Sequence, residues 1–310
     1  MFKRILVAAA VAAVTQTFVV QATAQADPGS YLAARQASFG RDFEAAALYF
    51  TRSLLNDPSN PQLLEGAMSS YLALGDLDAA APIADAMIGF ELESQTANLV
   101  RSVQASRAGN WDAIFEDLEA GHEVGPLVDG LAQAWAHMGL GELNKAIMSF
   151  DEVISSQGMQ AYGLFQKALA IASVGDFEGA EAILALSPEG GVRHNRRSAI
   201  ALAQILSQLE RNEDAIVLID TVFRDQLDPR LEKMRADLSE GVTIPFDTVR
   251  NATDGMAEVY FLIGGALQGE TPDGYTLLYM RAAQSLRPAD TEILLSVAGL
   301  LDNVGRYSLA

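Results

Sequence analysis

The run Leu72-Ala73-Leu74-Gly75-Asp76-Leu77-Asp78-Ala79-Ala80 decides the fold. An apolar segment stops at a glycine, a bulky residue follows two places on, and an alanine stands three places beyond that. Gly75 ends a helix, because the left-handed backbone that closes a helix carries no Cβ penalty at glycine. Leu77 plugs the gap between the helix that ends and the one that starts. Ala80 stands where the two helices cross closely and a larger side chain overpacks the contact.

Outward from this run the same punctuation recurs. Gly40, Gly75, Gly109, Gly141 and Gly175 are separated by 35, 34, 32 and 34 residues. Phe43, Leu77, Trp111, Leu143 and Phe177 supply the bulky residue, and Ala46, Ala80, Ile114, Ala146 and Ala180 the crossing residue. Pro58, Pro126 and Pro288 come after second helices, which proline cannot continue. A unit of about 34 residues with this punctuation is a helix, a tight turn and an antiparallel helix, stacked in series.

The pattern resembles the tetratricopeptide repeat family, whose places run Trp-x2-Leu-Gly-x2-Tyr, then Ala-x3-Phe, then Pro. The first unit matches at Ala46, Phe50 and Pro58, and the second at Leu64, Ala67, Tyr71, Gly75 and Ala80. Ala257–Asp290 matches at Tyr260, Ile263, Gly264, Leu267, Met280, Ala283 and Pro288. The last unit matches at Leu294, Val297, Ala298, Leu301, Gly305, Tyr307 and Ala310. The resemblance implies an all-α fold, a right-handed α-solenoid of tandem helix-turn-helix repeats. Repeats 1–6 are expected over 27–229, an irregular helix and linker over 230–256, and repeat 7 with a truncated repeat 8 over 257–310.

Some places depart from the pattern. Glu210-Arg211-Asn212 stand where the sixth unit needs its turn glycine, although Ala215 is in place. Arg230–Leu238 reads as a short extra helix and Gly241–Asp247, with Pro245, as a loop, while Gly190-Gly191 marks a loosened joint. The final first helix, Thr291–Val304, is expected to keep an uncovered apolar face, because Ala310 falls at the start of its partner. That implies a fragment of a longer chain or a truncated reading frame, since terminal repeats carry a polar outer face.

Composition narrows the function classes. Half of the 310 residues are hydrophobic, which excludes a disordered chain. No cysteine is present, which excludes disulfide staples, thiolate metal sites, a cysteine nucleophile and a lipidated cysteine anchor. Forty acidic residues against 21 Lys+Arg give a net charge of −19, which argues against nucleic acid or anionic lipid as partner. Met1–Ala26 has an export layout: Lys3 and Arg4, the apolar core Ile5–Val14, and the small-x-small site Ala24-Gln25-Ala26. Its apolar run is too short to span a bilayer, so cleavage before Asp27 and a periplasmic or secreted chain without stable membrane insertion are expected.

No residue pattern points to catalysis, a cofactor or a metal. His122, His137 and His194 show no metal-ligand spacing, and no nucleophile elbow or phosphate-cradling glycine run is present. His137 reads as a packing residue, Trp111 as core, and Glu116, Asp117 and Glu119 as a solvated helix face. Arg193-His194-Asn195-Arg196-Arg197 is either a dock for an acidic peptide or a helix start neutralised by neighbours such as Glu189.

The resemblance implies that first helices line a concave groove that holds a peptide or partner helix. Its expected lining is Glu65, Ser69, Leu99, Val103, Leu131, Trp135, Phe165, Leu169, Ile200 and Gln204. The stretch from Leu99 to Ile200 is apolar and rimmed by acid, which suits an amphipathic helix with basic flanks. The alternative is that these residues are inter-repeat core. The expected function is a non-catalytic scaffold or assembly factor of the bacterial cell envelope. The other reading is the recruiting arm of a larger envelope enzyme with its catalytic domain beyond residue 310.

Overall fold

The computed structural model describes residues 28–185, 195–224 and 226–310; the export segment, Glu189, Gly190-Gly191, Arg193 and His194 lie outside the described residues. Among the described residues the chain is all-α, with sixteen helices. Six helical hairpins come first. Their first helices are α1 (Pro28–Phe39), α3 (Pro61–Leu74), α5 (Gln95–Ala108), α7 (Pro126–Gly139), α9 (Gln160–Ser173) and α11 (Arg196–Gln208). Their second helices are α2 (Phe43–Leu54), α4 (Leu77–Gly89), α6 (Asp112–Glu119), α8 (Leu143–Ser155), α10 (Phe177–Leu184) and α12 (Asn212–Phe223). Each helix packs on the next, and α3 also meets α5, α7 meets α9, and α9 meets α11. First helices therefore share one side of a helical stack.

The hairpin turns repeat one device. Gly75 is left-handed, with φ of 80°; its N–H donates to the Leu72 carbonyl and that of Asp76 to the Tyr71 carbonyl. Asp76 then accepts the N–H of Ala79 at 3.0 Å and caps α4. Asp42 and Asp176 cap α2 and α10 in the same way, each satisfying a donor that the first helical turn leaves free. Glycine is not required throughout. In the first unit Arg41, rather than Gly40, holds the left-handed place at φ of 55°, and in the sixth Glu210 holds it at φ of 60°. The turn geometry outlives the glycine, at a backbone cost of roughly 1–2 kcal/mol for such a residue.

The crossing residues Ala46, Ala80, Ala146, Ala180 and Ala215 are completely buried. Trp111 is core, and its indole lies so close to Gly139 that a Cβ there would stand 2.2 Å away.

After α12 the arrangement changes. The short extra helix is present as α13 (Pro229–Ser239) and packs on α12. Rather than prolonging the stack, α14 (Ala252–Leu267) and α15 (Asp273–Leu286) turn back onto its inner side. The first lies on α5, α7 and α9, the second on α3 and α5. Most of α14 is enclosed: it buries Met256, Val259, Tyr260 and Ile263 together, and its acidic residues Asp254 and Glu258 are buried against arginines. Thr253 Oγ1 donates to the Ser106 carbonyl at 3.1 Å, and the Tyr260 hydroxyl to Ser102 Oγ at 2.8 Å. Arg281 Nε donates to the Ala73 carbonyl at 2.9 Å, placing a cation at the negative end of α3. The last helix, α16 (Thr291–Asn303), packs on α15 and buries Ile293, Val297, Leu300 and Leu301. Its exposed apolar surface is confined to Leu294 and Leu295.

Candidate functional site

The ten residues expected to line an open groove do stand on the first helices; Glu65 and Ser69, on α3, are half-buried, and the other eight lie deeper. Leu99 and Val103 are on α5, Leu131 and Trp135 on α7, Phe165 and Leu169 on α9, and Ile200 and Gln204 on α11. All eight are buried. Trp135 has no exposed surface; its Nε1 donates to Gln166 Oε1 at 2.8 Å, and its ring stacks edge-on against Phe150. A Cβ on Gly255 of α14 would stand 2.3 Å from that ring, so glycine is what allows α14 to lie against it. Gln204 ties down the linker before α14: its Nε2 donates to Asp247 Oδ1 at 2.6 Å and its Oε1 accepts from Thr248 Oγ1 at 2.8 Å. These residues are thus buried, those on α5, α7 and α9 in the helices that α14 lies on and, for Gln204 of α11, beneath the linker. An apolar strip has the same composition whether its cover is a partner or a later segment of the same chain, which is why it reads as a groove.

The described part of the basic run is corrected in the same way. Arg197 donates to Glu258 from both Nε and Nη2, to Asp290 at 2.9 Å and to Glu292 at 3.0 Å. Arg196 pairs with Asp228 at 2.6 Å and with Glu292 at 3.1 Å. Arg287 reaches Glu258 at 3.1 Å and Asp290 at 3.2 Å. Burial works against the charge of Arg197, but Glu258 and then Asp290 overcome it and raise its pKa. Asp290, also opposed by burial, is held below the ordinary carboxylate range by Arg197 and Arg287. Carboxylates far along the chain neutralise Arg196 and Arg197, so Arg197 is not available to dock an acidic peptide.

The remaining polar residues mostly serve packing. The ring of His137 lies 4.6 Å from that of Phe115, and its Nδ1 is 2.8 Å from Glu142. Asp117 is not part of a solvated face: it receives Arg101 at 2.7 Å and faces His122 at 3.3 Å, while Glu116 and Glu119 stay at the surface. Among the described residues no group of three or more His, Asp or Glu side chains is placed to hold a metal ion. Among them, too, no helix is long and apolar enough to cross a membrane.

The open part of the inner side lies at its N-terminal end. A cleft of about 600 Å³ separates α1, α3 and the start of α5 from α15. Its floor is Phe50, Gly66 and Met87; Tyr31, Gln62, Glu65, Gln95 and Tyr275 form the walls. A Cβ on Gly66 would stand 2.6 Å from the Phe50 ring, so the glycine lets that ring lie against α3. Arg35 Nη1 donates to the Tyr31 hydroxyl at 3.2 Å, and its guanidinium stacks 5.3 Å from the Phe39 ring. Ser94 Oγ donates to Glu65 Oε2 at 2.6 Å and accepts the N–H of Ala97 at 3.0 Å, which fixes the carboxylate. No protein-family model matches the chain, and no curated protein matches it. The cleft combines an apolar floor, two phenol rings, amide side chains and an oriented carboxylate. Of its residues only Glu65 was legible as an inner-face position; Tyr275 comes from α15, whose return to α3 no local pattern announces.

Proposed function

We propose that the protein is a non-catalytic interaction scaffold of the bacterial cell envelope, built on tetratricopeptide-type hairpins. On this reading it holds a peptide or partner helix at the open end of its inner side. The observation that carries the reading is the cleft between α1, α3, α5 and α15: first helices form one wall, and Tyr275 stands opposite. The export layout of Met1–Ala26 supports the periplasm as the place of action. The excess of acidic residues supports a protein partner over nucleic acid. A photo-crosslinking amino acid at Gln95 or Tyr275, introduced in the full chain in cells, should yield a discrete adduct with an envelope protein. The same probe at Glu213, on the outer start of α12, serves as the control. Adducts no stronger at Gln95 and Tyr275 than at Glu213 would remove this reading.

A further inference from the structure

Exposed apolar side chains gather near the two ends of the described chain. On α1, Leu32 and Phe39 are 65% and 75% exposed; on α2 and at its cap, Leu48 and Leu55 are 61% and 82% exposed. Each pair is spaced by seven residues, about two helical turns, and so forms one stripe. The stripes lie on the sides of their helices away from the buried Ala34 and Phe50. At the other end Leu295 and Tyr307 are 68% and 73% exposed, with Leu294 beside them. The two ends adjoin. Arg306, in the turn after α16, donates to the Arg41 carbonyl and, at 2.8 Å, to the Gly40 carbonyl, both in the turn between α1 and α2. Phe39 and Tyr307 flank this clasp. At roughly 150–250 Å² for a large side chain, the seven residues expose on the order of 900 Å² per copy, comparable with the roughly 800 Å² that each partner contributes to a stable interface.

The first hairpin also differs in charge. Residues 28–55 hold Arg35, Arg41 and Arg52 against Asp42 and Glu44, a balance of +1. Residues 56–310 hold 16 Lys+Arg against 37 Asp+Glu, a balance of −21, and every later helical hairpin carries more acid than base. Arg41 holds a left-handed backbone although Gly40 stands beside it, and its exposed guanidinium pairs with no carboxylate among the described residues. A strained residue that presents an unused cation at a turn points to a use outside its own chain. Asp302, near the other end, is an exposed carboxylate that pairs with no cation among the described residues.

We propose that the protein forms a two-fold homodimer in which the first hairpin of each copy packs on α16 and the turn after it in the other copy. Because the two ends adjoin, a single two-fold axis pairs both ends at once, as a self-complementary interface requires. Leu32, Phe39, Leu48 and Leu55 cover Leu294, Leu295 and Tyr307, and Arg41 meets Asp302. The contact places the one hairpin with a positive balance against an acidic chain, whereas contact through the later hairpins brings two acidic surfaces together. The inference adds a second copy as partner and does not depend on the cleft.

The test is sedimentation equilibrium of the full mature chain over a range of concentrations, which should show a dimer. Leu48→Glu and Leu295→Glu should each weaken it at least tenfold. Met148→Glu and Val217→Glu, at similarly exposed places on α8 and α12, should each change it less than twofold. Circular dichroism melts confirm that the variants fold. Arg41→Asp should weaken the dimer, and adding Asp302→Arg should restore it. The chain has no cysteine, so disulfide trapping runs without background and on a nearly unchanged protein. Copies carrying only Leu48→Cys, mixed with copies carrying only Leu295→Cys, should form a mixed disulfide on mild oxidation. Copies carrying only Met148→Cys, mixed with the same partner, should not. A monomer at every concentration overturns the proposal, including one that binds lipid vesicles through the first hairpin instead. A dimer weakened by Leu48→Glu but not by Leu295→Glu, or equally by all four glutamate substitutions, overturns it as well.

Discussion

Replacing Gly255 by alanine adds one methyl group where α14 lies closest to the indole of Trp135. The new Cβ would stand 2.3 Å from the ring, against an ordinary contact of roughly 3.5–4.0 Å, so the ring or the helix must move by more than about 1 Å. The ring is pinned by its bond to Gln166 and by its edge contact with Phe150, and the helix by Thr253 and Tyr260. Overpacking of this kind costs about 1–3 kcal/mol. Moving the indole off Gln166 leaves buried polar groups unpaired, at about 1–3 kcal/mol more. The better helix propensity of alanine returns about 1 kcal/mol. The net loss is about 3 kcal/mol, which in a chain of this size lowers the melting temperature by roughly 6–12 °C. Gly265, in the same helix, has nothing within 4 Å of the place a methyl group would take, so Gly265→Ala should instead raise stability by about 0.5–1 kcal/mol. Thermal and urea melts followed by circular dichroism read both. Adding Trp135→Leu to Gly255→Ala should cost less than the sum of the single changes by about 1 kcal/mol, because the two residues compete for one space. A Gly255→Ala protein as stable as wild type, or a strictly additive pair, would refute the seating of α14 on Trp135.

Trp135→Ala should itself cost about 3–5 kcal/mol in the same melts, as expected for a truncated core aromatic; a melting temperature near wild type would return this residue to an open surface. Glu258→Gln leaves Arg197 and Arg287 short of a buried carboxylate and should cost about 3–5 kcal/mol, whereas Glu232→Gln at an exposed place should stay within about 0.5 kcal/mol. Asp290 is held below its ordinary value of 3.8, so its stabilising contribution is complete above that value and is lost as pH falls through the lower folded-state value. The stability gap between wild type and Asp290→Asn should therefore be widest at about pH 5–7 and close towards about pH 2; a gap that grows on acidification contradicts the pairing. Glu210→Gly relieves a left-handed backbone and should stabilise by about 0.5–1 kcal/mol, while a loss of stability would show that Glu210 does something beyond completing the turn.

The hairpins were legible because their cause is local. A left-handed residue, a capping aspartate, a gap-filling bulky residue and a small crossing residue act within some ten positions of one another. Any chain that spaces them by about 34 residues stacks helix pairs. Even the missing glycine at Glu210 left the turn readable, since Ala215 kept the register. Which residues face inward was legible too, as Leu99, Leu131 and Trp135 show.

What covers that inner face was decided only in three dimensions. Met256–Ile263 carries the apolar repeat signature of a first helix, and its match to the pattern does not distinguish a seventh repeat in the stack from a helix folded back into it. The choice depends on Gly255 fitting against Trp135, Arg281 meeting the end of α3, and Arg197 meeting Glu258, contacts between residues from 61 to 208 positions apart. Periodicity reports the faces of single helices, and pairing between distant faces is a property of the assembled surfaces. The cleft at the open end follows from the same fact: Tyr31 and Tyr275 become opposite walls only once α15 lies across α3 and α5.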